Sequence, residues 1–250
     1  MSEFFNAILF QPIFNGFVVV YNLVGDVGIV IFIITVLIKL ALYPLTNQSI
    51  KAQKSLTELQ PKLEEIKQKH KKDQQVLAQE TMKLYKEHKV NPFGSCLPIL
   101  VQLPVFFALY YVLQNALGES PSFDLLYPFV ANPESINPMS LGLFNLGEVS
   151  VVLAVLAAGS QFWQAKMFSR RQPPKKAGEG AKDENMMSMM NKQMLYFMPF
   201  LTLIIGLQFP GGLTLYWFLS TLITGIQQVF IFKKDKNNTS GGVIEGEIVS

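Results

Sequence analysis

The chain has almost no cysteine and carries none of the common sequence signatures of nucleotide binding. Cys96 is its single cysteine, which excludes an internal disulfide framework and a cysteine-based metal cluster. No P-loop motif occurs, so we expect the chain itself to consume no ATP. What it has is apolar sequence: half of the 250 residues are hydrophobic, 20 of them Phe. This composition excludes an ordinary soluble domain and is typical of a protein with several membrane spans.

Five apolar runs are close to the length that a bilayer requires. They are Val27–Leu45, Leu97–Leu117, Val149–Phe168, Met194–Phe209 and Leu213–Phe232. When the few residues that precede some of these runs are included, the predicted membrane segments are 27–45, 91–117, 149–168, 193–209 and 210–232, the last of which begins with a turn. The remaining segments are a polar loop at 46–90, a loop at 118–148, a basic linker at 169–192 and a flexible tail at 233–250.

The distribution of positive charge predicts how these spans are oriented. Ten Lys lie in Thr46–Val90, and further basic residues lie in the linker after the third span and directly after the fifth. In contrast, Met1–Asp26, Gly118–Leu146 and Pro210–Gly212 contain no Lys or Arg. Because cytoplasmic loops carry the positive charge of membrane proteins, we expect the N-terminus outside and the C-terminus in the cytoplasm. The predicted fold class is an all-α membrane protein with five transmembrane helices.

The N-terminal segment, residues 1–26, has two interpretations. Phe4–Val24 is apolar enough for a sixth span, but Pro12 interrupts it and its polar residues fall on one helical face. Those residues are Gln11, Asn15, Asn22 and Asp26. This pattern favours an amphipathic helix that lies in the interface on the extracytoplasmic side of the membrane, with a true span as the alternative. No positive stretch precedes it, so we expect no secretory signal.

The polar loop Thr46–Val90 predicts a cytoplasmic hairpin of two amphipathic helices. Asp73 is the expected N-cap of the second helix, and acid–base pairs four residues apart support the first. The apolar stripes comprise Leu56, Leu59, Leu63 and Ile66, then Leu77, Thr81 and Leu84, and the pairs are Glu58/Lys62 and Glu65/Lys69. The hairpin is either a solvated connector that touches anionic lipid headgroups or a docking arm for incoming chains or ribosomes.

Lys39 lies in the middle of the first apolar run. A lysine near the bilayer centre costs roughly 2.5–3.5 kcal/mol on insertion scales, which a functional role usually explains. It faces either a polar cavity inside the bundle, or the cytoplasmic surface about 10 Å away, which its long side chain could approach. Thr35 and Thr46 share its helical face.

Polar side chains in the other spans extend this surface. Taken singly, each is expected to form a hydrogen bond between helices. Taken together with Lys39 and Thr35, they predict one hydrophilic surface toward the cytoplasmic half of the bundle. They are Gln102 in the second span, Ser160, Gln161 and Gln164 in the third, and Trp217, Ser220, Thr221, Thr224, Gln227 and Gln228 in the fifth.

Several of these segments resemble the YidC/Oxa/Alb membrane-protein insertases. The similar stretches are Asn91-Pro92-Phe93-Gly94-Ser95-Cys96-Leu97-Pro98, Gln102-Leu103-Pro104-Val105-Phe106-Phe107-Ala108-Leu109-Tyr110, Phe209-Pro210-Gly211-Gly212-Leu213-Thr214-Leu215-Tyr216-Trp217 with Gln227-Gln228, Leu42-Tyr43-Pro44-Leu45 and Leu59-Gln60-Pro61. The likeness covers about Val27 to Phe232, without the large extracytoplasmic domain that many Gram-negative members carry.

The resemblance implies an insertase and chaperone in the bacterial cytoplasmic membrane, with a hydrophilic groove open to cytoplasm and lipid. The groove's positive residue maps onto Lys39, where the family usually has Arg, and further groove residues map onto Gln161 and Trp217. We place Thr35, Gln102 and Thr221 in the same groove. Substrate or ribosome docking would involve Pro61, Lys62 and the neighbouring hairpin surface.

The implied partners are nascent membrane proteins, the ribosome, anionic lipids and the Sec translocon, beside which the chain would work when not alone. We expect no direct nucleic-acid binding, no metal, no cofactor and no enzymatic activity.

Two other functions compete with this interpretation. A small ion- or proton-coupled transporter would use Lys39 as a charge relay, but such transporters tend to contain internal repeats, and the sequence contains none. An intramembrane hydrolase would need a dyad of Lys39 with Ser160 or Ser220, which no motif supports.

Overall fold

The computed structural model describes residues 3–70, 73–91, 97–118, 121–169 and 193–240. These ranges are mainly helical. The helices are α1 (Glu3–Val24, with a π-helical turn at Asn6–Phe10), α2 (Val27–Ala41), α3 (Tyr43–Lys69), α4 (Gln74–Glu87), α5 (Leu97–Leu117), α6 (Val151–Ser169), α7 (Met198–Gly206, preceded by a π-helical turn at Gln193–Phe197) and α8 (Gly211–Ser240). Two short strands, β1 (Met139–Ser140) and β2 (Phe144–Asn145), form an antiparallel ribbon that the all-α prediction did not include.

A tight joint connects α1 to α2. Gly25 ends α1 in the left-handed region, at φ 75°, and its N–H bonds the carbonyl of Tyr21. Glycine suits this position because it has no Cβ to clash. Asp26 then caps α2 by accepting a hydrogen bond from the Ile29 N–H at 3.0 Å. Local chemistry therefore fixes where α2 starts.

The helix of the first predicted span is shorter than the apolar run that contains it. The run extends to Leu45, but α2 ends at Ala41 and the chain bends by 68° into α3. Pro44 explains the break, because it has no N–H to bond the Leu40 carbonyl and its ring would clash with that carbonyl, whereas proline is tolerated in a helix's first turn. As a result, Tyr43 and Leu45 belong to the first turn of the hairpin helix α3.

Two helices, α3 and α4, occupy the segment for which the sequence predicted a cytoplasmic hairpin. The Asp73 carboxylate accepts hydrogen bonds from two backbone N–H groups of the first turn of α4, at 3.0 and 3.1 Å, so its predicted capping role is confirmed. Leu59, Leu63 and Leu84 are buried, as expected of the apolar stripes. Glu58 forms an ion pair with Lys54 at 3.5 Å, whereas the sequence predicted Lys62 as its partner.

Three described helices are long and apolar enough to cross a membrane: Glu3–Val24, Leu100–Leu117 and Gly211–Phe232. The bent pair of α2 and α3 makes a fourth if it counts as one span. Leu195–Gly206 is apolar but shorter, and α6 is outside this set. The five-span topology and the interfacial position of α1 therefore stay predictions. Helix α8 continues beyond the predicted tail boundary to Ser240, and the predicted linker from residue 170 to 192 lies outside the described residues.

The hydrophobic core lies toward one end of the bundle, which we call the Asp26 end. Its residues come from α1, the first half of α2, the second half of α5, the first residues of α6 and α8, and the loop between α5 and α6. The largest of them that are fully buried are Phe10, Phe14, Phe17, Ile31, Leu109, Leu146, Leu213 and Tyr216. This end of the bundle is consequently closed by apolar packing.

Small residues bring α6, α7 and α8 together. A Cβ on Gly225 would overlap the ring of Trp163, and one on Gly206 would lie 3.1 Å from the Ala154 Cβ. Ala157 is fully buried as well. Close approach through small side chains is the usual way in which helices associate inside membranes.

The polar face of α1 contacts the loop between α5 and α6. Asn15 donates to the Leu125 carbonyl at 3.1 Å and accepts from the Tyr127 N–H at 2.6 Å. Further along, Asn22 donates to the Ala131 carbonyl at 2.8 Å. The predicted polar stripe of α1 therefore has protein partners along a length of roughly 10 Å, at 1.5 Å per residue.

A polar pocket at the bend between two helices

A small pocket lies where α2 bends into α3, at the end of the bundle opposite the Asp26 end. It holds about 350 Å³ of empty space, including the part open to its surroundings. Residues of α2, α3, α5 and α8 line it: Lys39, Leu42, Leu45, Thr46, Ser49, Val101, Gln102 and Thr224. We call it the Lys39 pocket.

The Lys39 ammonium is held between helices that are distant in sequence. Its Nζ donates to Thr224 Oγ1 on α8 at 3.0 Å and to Gln102 Oε1 on α5 at 3.5 Å. The Gln102 amide also donates to the hydroxyl of Tyr216, which is buried in the core. The side chain thus points into the bundle, which favours the predicted cavity over extension toward the surface.

The partners of the ammonium are neutral. Both are dipoles, an amide oxygen and a hydroxyl, and no carboxylate is among the residues that line the pocket. The Thr224 hydroxyl donates onward to the Ser220 carbonyl at 2.8 Å, which leaves its oxygen free to accept from Lys39. Neutral dipoles reduce the cost of burying the cation without cancelling its charge.

Helix α3 supplies two polar residues that the prediction of the groove left out or mentioned only by helical face. Thr46 donates to the Leu42 carbonyl at 2.9 Å and lines the pocket. Ser49, one turn further, is 1% exposed, and its hydroxyl has no hydrogen-bond partner among the described residues. Thr46 already shared the predicted face of Lys39, seven residues away. Ser49 is ten residues from Lys39, on another face of an unbroken helix, so its place in the pocket follows from the bend at Leu42.

Two of the predicted groove residues lie apart from the pocket lining. Thr35 is fully buried and donates to the Ile31 carbonyl of its own helix at 2.6 Å. Thr221 on α8 is partly buried, three residues before Thr224. Of the predicted residues Lys39, Thr35, Gln102 and Thr221, the structure brings the first and third together.

Gln161 and Trp217 occupy other helix contacts. Gln161 on α6 accepts a hydrogen bond from the Thr202 hydroxyl on α7. Trp217 packs edge-to-face on Phe106 with 5.6 Å between ring centroids, next to the Phe106–Phe209 pair. Among the described contacts, each of these residues joins two helices.

The predicted docking residues lie on α3. Pro61 is inside the helix and half-buried, while Lys62 is exposed. The Lys62 Nζ lies 3.0 Å from His88 Nε2, just after the end of α4. This contact connects the two arms of the hairpin.

Comparison with known proteins identifies the family of the chain. The family model described as "60Kd inner membrane protein" matches residues 19–238. The chain belongs to this 60Kd inner membrane protein family. A relative from Fusobacterium nucleatum, titled "Membrane protein insertase YidC", is 42% identical over 211 residues, which cover 84% of the chain and 88% of the relative. One of the same title from Geobacter sulfurreducens is 34% identical and is covered over only 37% of its length.

A solved structure shares the fold. It is titled "Active YidC insertase crystal structure with the first transmembrane domain resolved" and aligns with a TM-score of 0.54 at 23% identity, over 92% of this chain and 47% of that one. The predicted membership of the YidC/Oxa/Alb family is therefore confirmed, and the chain is a multi-pass membrane protein.

Proposed function

We propose that the chain is a membrane protein insertase and chaperone that receives a polar segment of its substrate in the Lys39 pocket. The pocket would form the deepest part of a hydrophilic groove open to cytoplasm and lipid. The observation that carries the proposal is the Lys39 ammonium, which is held inside the bundle by neutral partners.

An uncompensated cation attracts acidic segments. At about 4 Å and an effective dielectric of about 20, an ammonium and a carboxylate attract each other by roughly 4 kcal/mol. Moving a carboxylate out of water costs several kcal/mol even in real proteins. The two terms are of the same size, so a single lysine offsets much of the cost of drawing one acidic residue into the membrane.

The asymmetry of the bundle supports partial crossing rather than a continuous channel. Apolar packing fills the Asp26 end, and the polar pocket occupies the opposite end. Helix α2 rises about 18 Å between Val27 and Lys39, at 1.5 Å per residue, against a hydrocarbon core of about 30 Å. A substrate tail that reaches Lys39 would have only part of the bilayer left to cross, while its apolar helix moves into lipid.

The topology proposed for this activity has the Asp26 end outside and the hairpin of α3 and α4 in the cytoplasm, in the cytoplasmic membrane of a bacterium. The polar face of α1 contacts the loop after α5 from Asn15 to Asn22, which supports a position of α1 along the outer surface. The hairpin would meet nascent membrane proteins, ribosomes and anionic lipids, and the chain would act alone or beside the Sec translocon. The groove would include Thr35, Gln161, Trp217 and Thr221 at its margins.

Insertion into liposomes tests the proposal. Purified protein is reconstituted, and a single-spanning substrate with an acidic N-terminal tail is added and scored by protease protection of the tail. We expect protection with wild type and with Lys39→Arg. Lys39→Ala should slow insertion about tenfold or more, since a loss of about 1.4 kcal/mol already gives a factor of ten.

Two controls make the result specific. Lys166→Ala removes another charge from a bundle helix, one that lies 5.6 Å from the ring centroid of Phe162, and should insert like wild type. A substrate whose tail carboxylates are changed to amides should not distinguish Lys39→Ala from wild type. Equal insertion of the acidic substrate by every variant would remove Lys39 from the substrate path. Protection no higher than in empty liposomes would contradict autonomous insertion, and ion flux would then be measured.

A further inference from the structure

The ribbon of β1 and β2 ends in a strained turn with an apolar tip. Leu141 and Gly142 both have positive φ, 51° and 67°, and the Leu143 N–H bonds the Ser140 carbonyl at 2.9 Å. Two central residues in the left-handed region define a type I′ hairpin turn, in which Asn or Gly is favoured. A leucine in this conformation raises the energy of the backbone. We therefore expect its side chain to make a favourable contact that compensates for this cost.

The side chains of this turn project away from the protein. Leu141 is 67% exposed and Leu143 is 74% exposed. Complete burial of a leucine side chain is worth about 1.5–3 kcal/mol of free energy. Because Leu141 and Leu143 are mostly exposed, most of this free energy would be gained if they were buried by another surface. Their chain neighbour Phe144 is partly buried and packs against the core, so the ribbon itself is attached to the protein.

The Asp26 carboxylate fixes the position of the tip relative to the start of α2. It accepts from the Leu141 N–H at 2.6 Å and from the Ser140 hydroxyl at 2.8 Å, while it also caps the start of α2. Ser140 packs against Gly28 so closely that a Cβ there would overlap it. The tip therefore lies level with the first turn of α2.

An exposed apolar stripe of α2 begins at the same place. Ile29, whose N–H bonds the same Asp26 carboxylate, is exposed, and the stripe continues through Phe32 to Leu37. In a membrane protein such a stripe faces lipid. The apolar tip is thus adjacent to this stripe, at the end of α2 where a span that begins at Val27 would meet the lipid headgroups.

We propose that Leu141 and Leu143 form a lipid-binding tip that inserts into the interface of the leaflet at the Asp26 end. The surrounding segment Gly118–Leu146 contains Glu119, Asp124 and Glu134 but no Lys or Arg, so insertion is driven by apolar area and does not depend on anionic lipid. The inference rests on α2 lying in the membrane, and is independent of the insertase activity.

Fluorescence quenching in vesicles tests the tip. Leu143→Cys, in a Cys96→Ser background, is labelled with an environment-sensitive fluorophore and reconstituted in phosphatidylcholine, with or without phosphatidylglycerol. Ser135→Cys, an exposed position in the same loop, is the matched site. We expect the label at 143 to show blue-shifted emission and quenching by spin labels high on the acyl chain. The label at 135 should be quenched by aqueous iodide instead.

A second variant separates backbone strain from lipid contact. Leu141→Asn suits the left-handed conformation and keeps the backbone N–H that bonds Asp26, but it removes an apolar side chain. It should leave the protein folded and reduce acyl-chain quenching at position 143.

Three outcomes would overturn the proposal. The first is iodide quenching at 143 equal to that at 135. The second is protection from iodide without acyl-chain quenching, which would mean that protein, such as a second copy, covers the tip. The third is insertion only when phosphatidylglycerol is present. Equal quenching in the two kinds of vesicle, with the loss in Leu141→Asn, supports it.

Discussion

Replacing Asp26 by alanine should destabilise the Asp26 end of the bundle by about 2–4 kcal/mol. The carboxylate accepts three hydrogen bonds, from the Ile29 N–H at 3.0 Å, the Ser140 hydroxyl at 2.8 Å and the Leu141 N–H at 2.6 Å. The cap alone is worth about 1 kcal/mol, and hydrogen bonds to a charged group about 1.5–3 kcal/mol each when shielded from water. Because Asp26 is only partly buried, the bonds from Ser140 and Leu141 should each contribute no more than about 1.5 kcal/mol, which together with the cap gives the total of about 2–4 kcal/mol.

Asp26→Asn isolates the contribution of charge. Asparagine caps helices as well as aspartate does, so this variant should lose about 1 kcal/mol. The measurement is the free energy of unfolding in dodecylmaltoside micelles titrated with sodium dodecyl sulfate, followed by circular dichroism.

The pH dependence provides a second measurement of the same carboxylate. Burial raises the pKa of Asp26, but the hydrogen bonds from Leu141, Ile29 and Ser140, helped by the nearby backbone N–H of Gly28, outweigh it and hold that pKa below its ordinary value of 3.8. The stabilisation is therefore complete above pH 3.8 and is lost as the pH falls through the lower pKa of the folded state. Asp26→Asn should lack this acid-dependent loss. A free energy of unfolding for Asp26→Ala within about 0.5 kcal/mol of wild type would refute the reasoning, since that is the scatter of neutral surface changes.

Two further changes test packing and capping. Gly225→Ala should cost about 1–2 kcal/mol net, because its Cβ overlaps Trp163 while the gain in helix propensity offsets part of the strain, and Trp fluorescence during unfolding reports it. Gly159→Ala, whose Cβ would meet nothing within 4 Å, is the control and should be neutral or slightly stabilising; equal effects at the two positions would contradict the packing argument. Asp73→Ala should weaken α4 by about 1 kcal/mol through the lost cap, measured by amide hydrogen exchange, and unchanged protection in its first turn would count against it.

The hairpin could be predicted because its signals are local. Asp73 followed by an apolar stripe is a helix start, and Leu59, Leu63 and Leu84 repeat at helical spacing. The end of α2 was harder to predict, because the apolar run continues to Leu45 and hides it. Pro44 was the available signal, since the residue before a proline is a frequent helix boundary.

The site could be predicted only in part, because its contacts join distant residues. Lys39 is visible as a charge in an apolar run, and Gln102 as an amide in another, 63 residues away. Helical periodicity places Thr224 on a polar stripe, but cannot select it over Thr221 as the partner of Lys39. Ser49 becomes part of the pocket only through the bend. The attachment of the ribbon to Asp26 spans 115 residues and depends on a leucine in an unusual conformation.

The bend at Leu42 makes α3 a lever with its fulcrum at the mouth of the Lys39 pocket. From Tyr43 to Lys69 the helix extends about 39 Å, whereas Ser49 lies only about 10 Å from the bend. A rotation of 10° about Leu42 would move the far end of α3 by roughly 7 Å and Ser49 by roughly 2 Å, by the same helix dimensions. A weak force that a partner applies to the far end of α3 would thus be multiplied about fourfold where α3 borders the pocket, in proportion to those two lengths. Binding of a partner to the hairpin would therefore change the width of the Lys39 pocket.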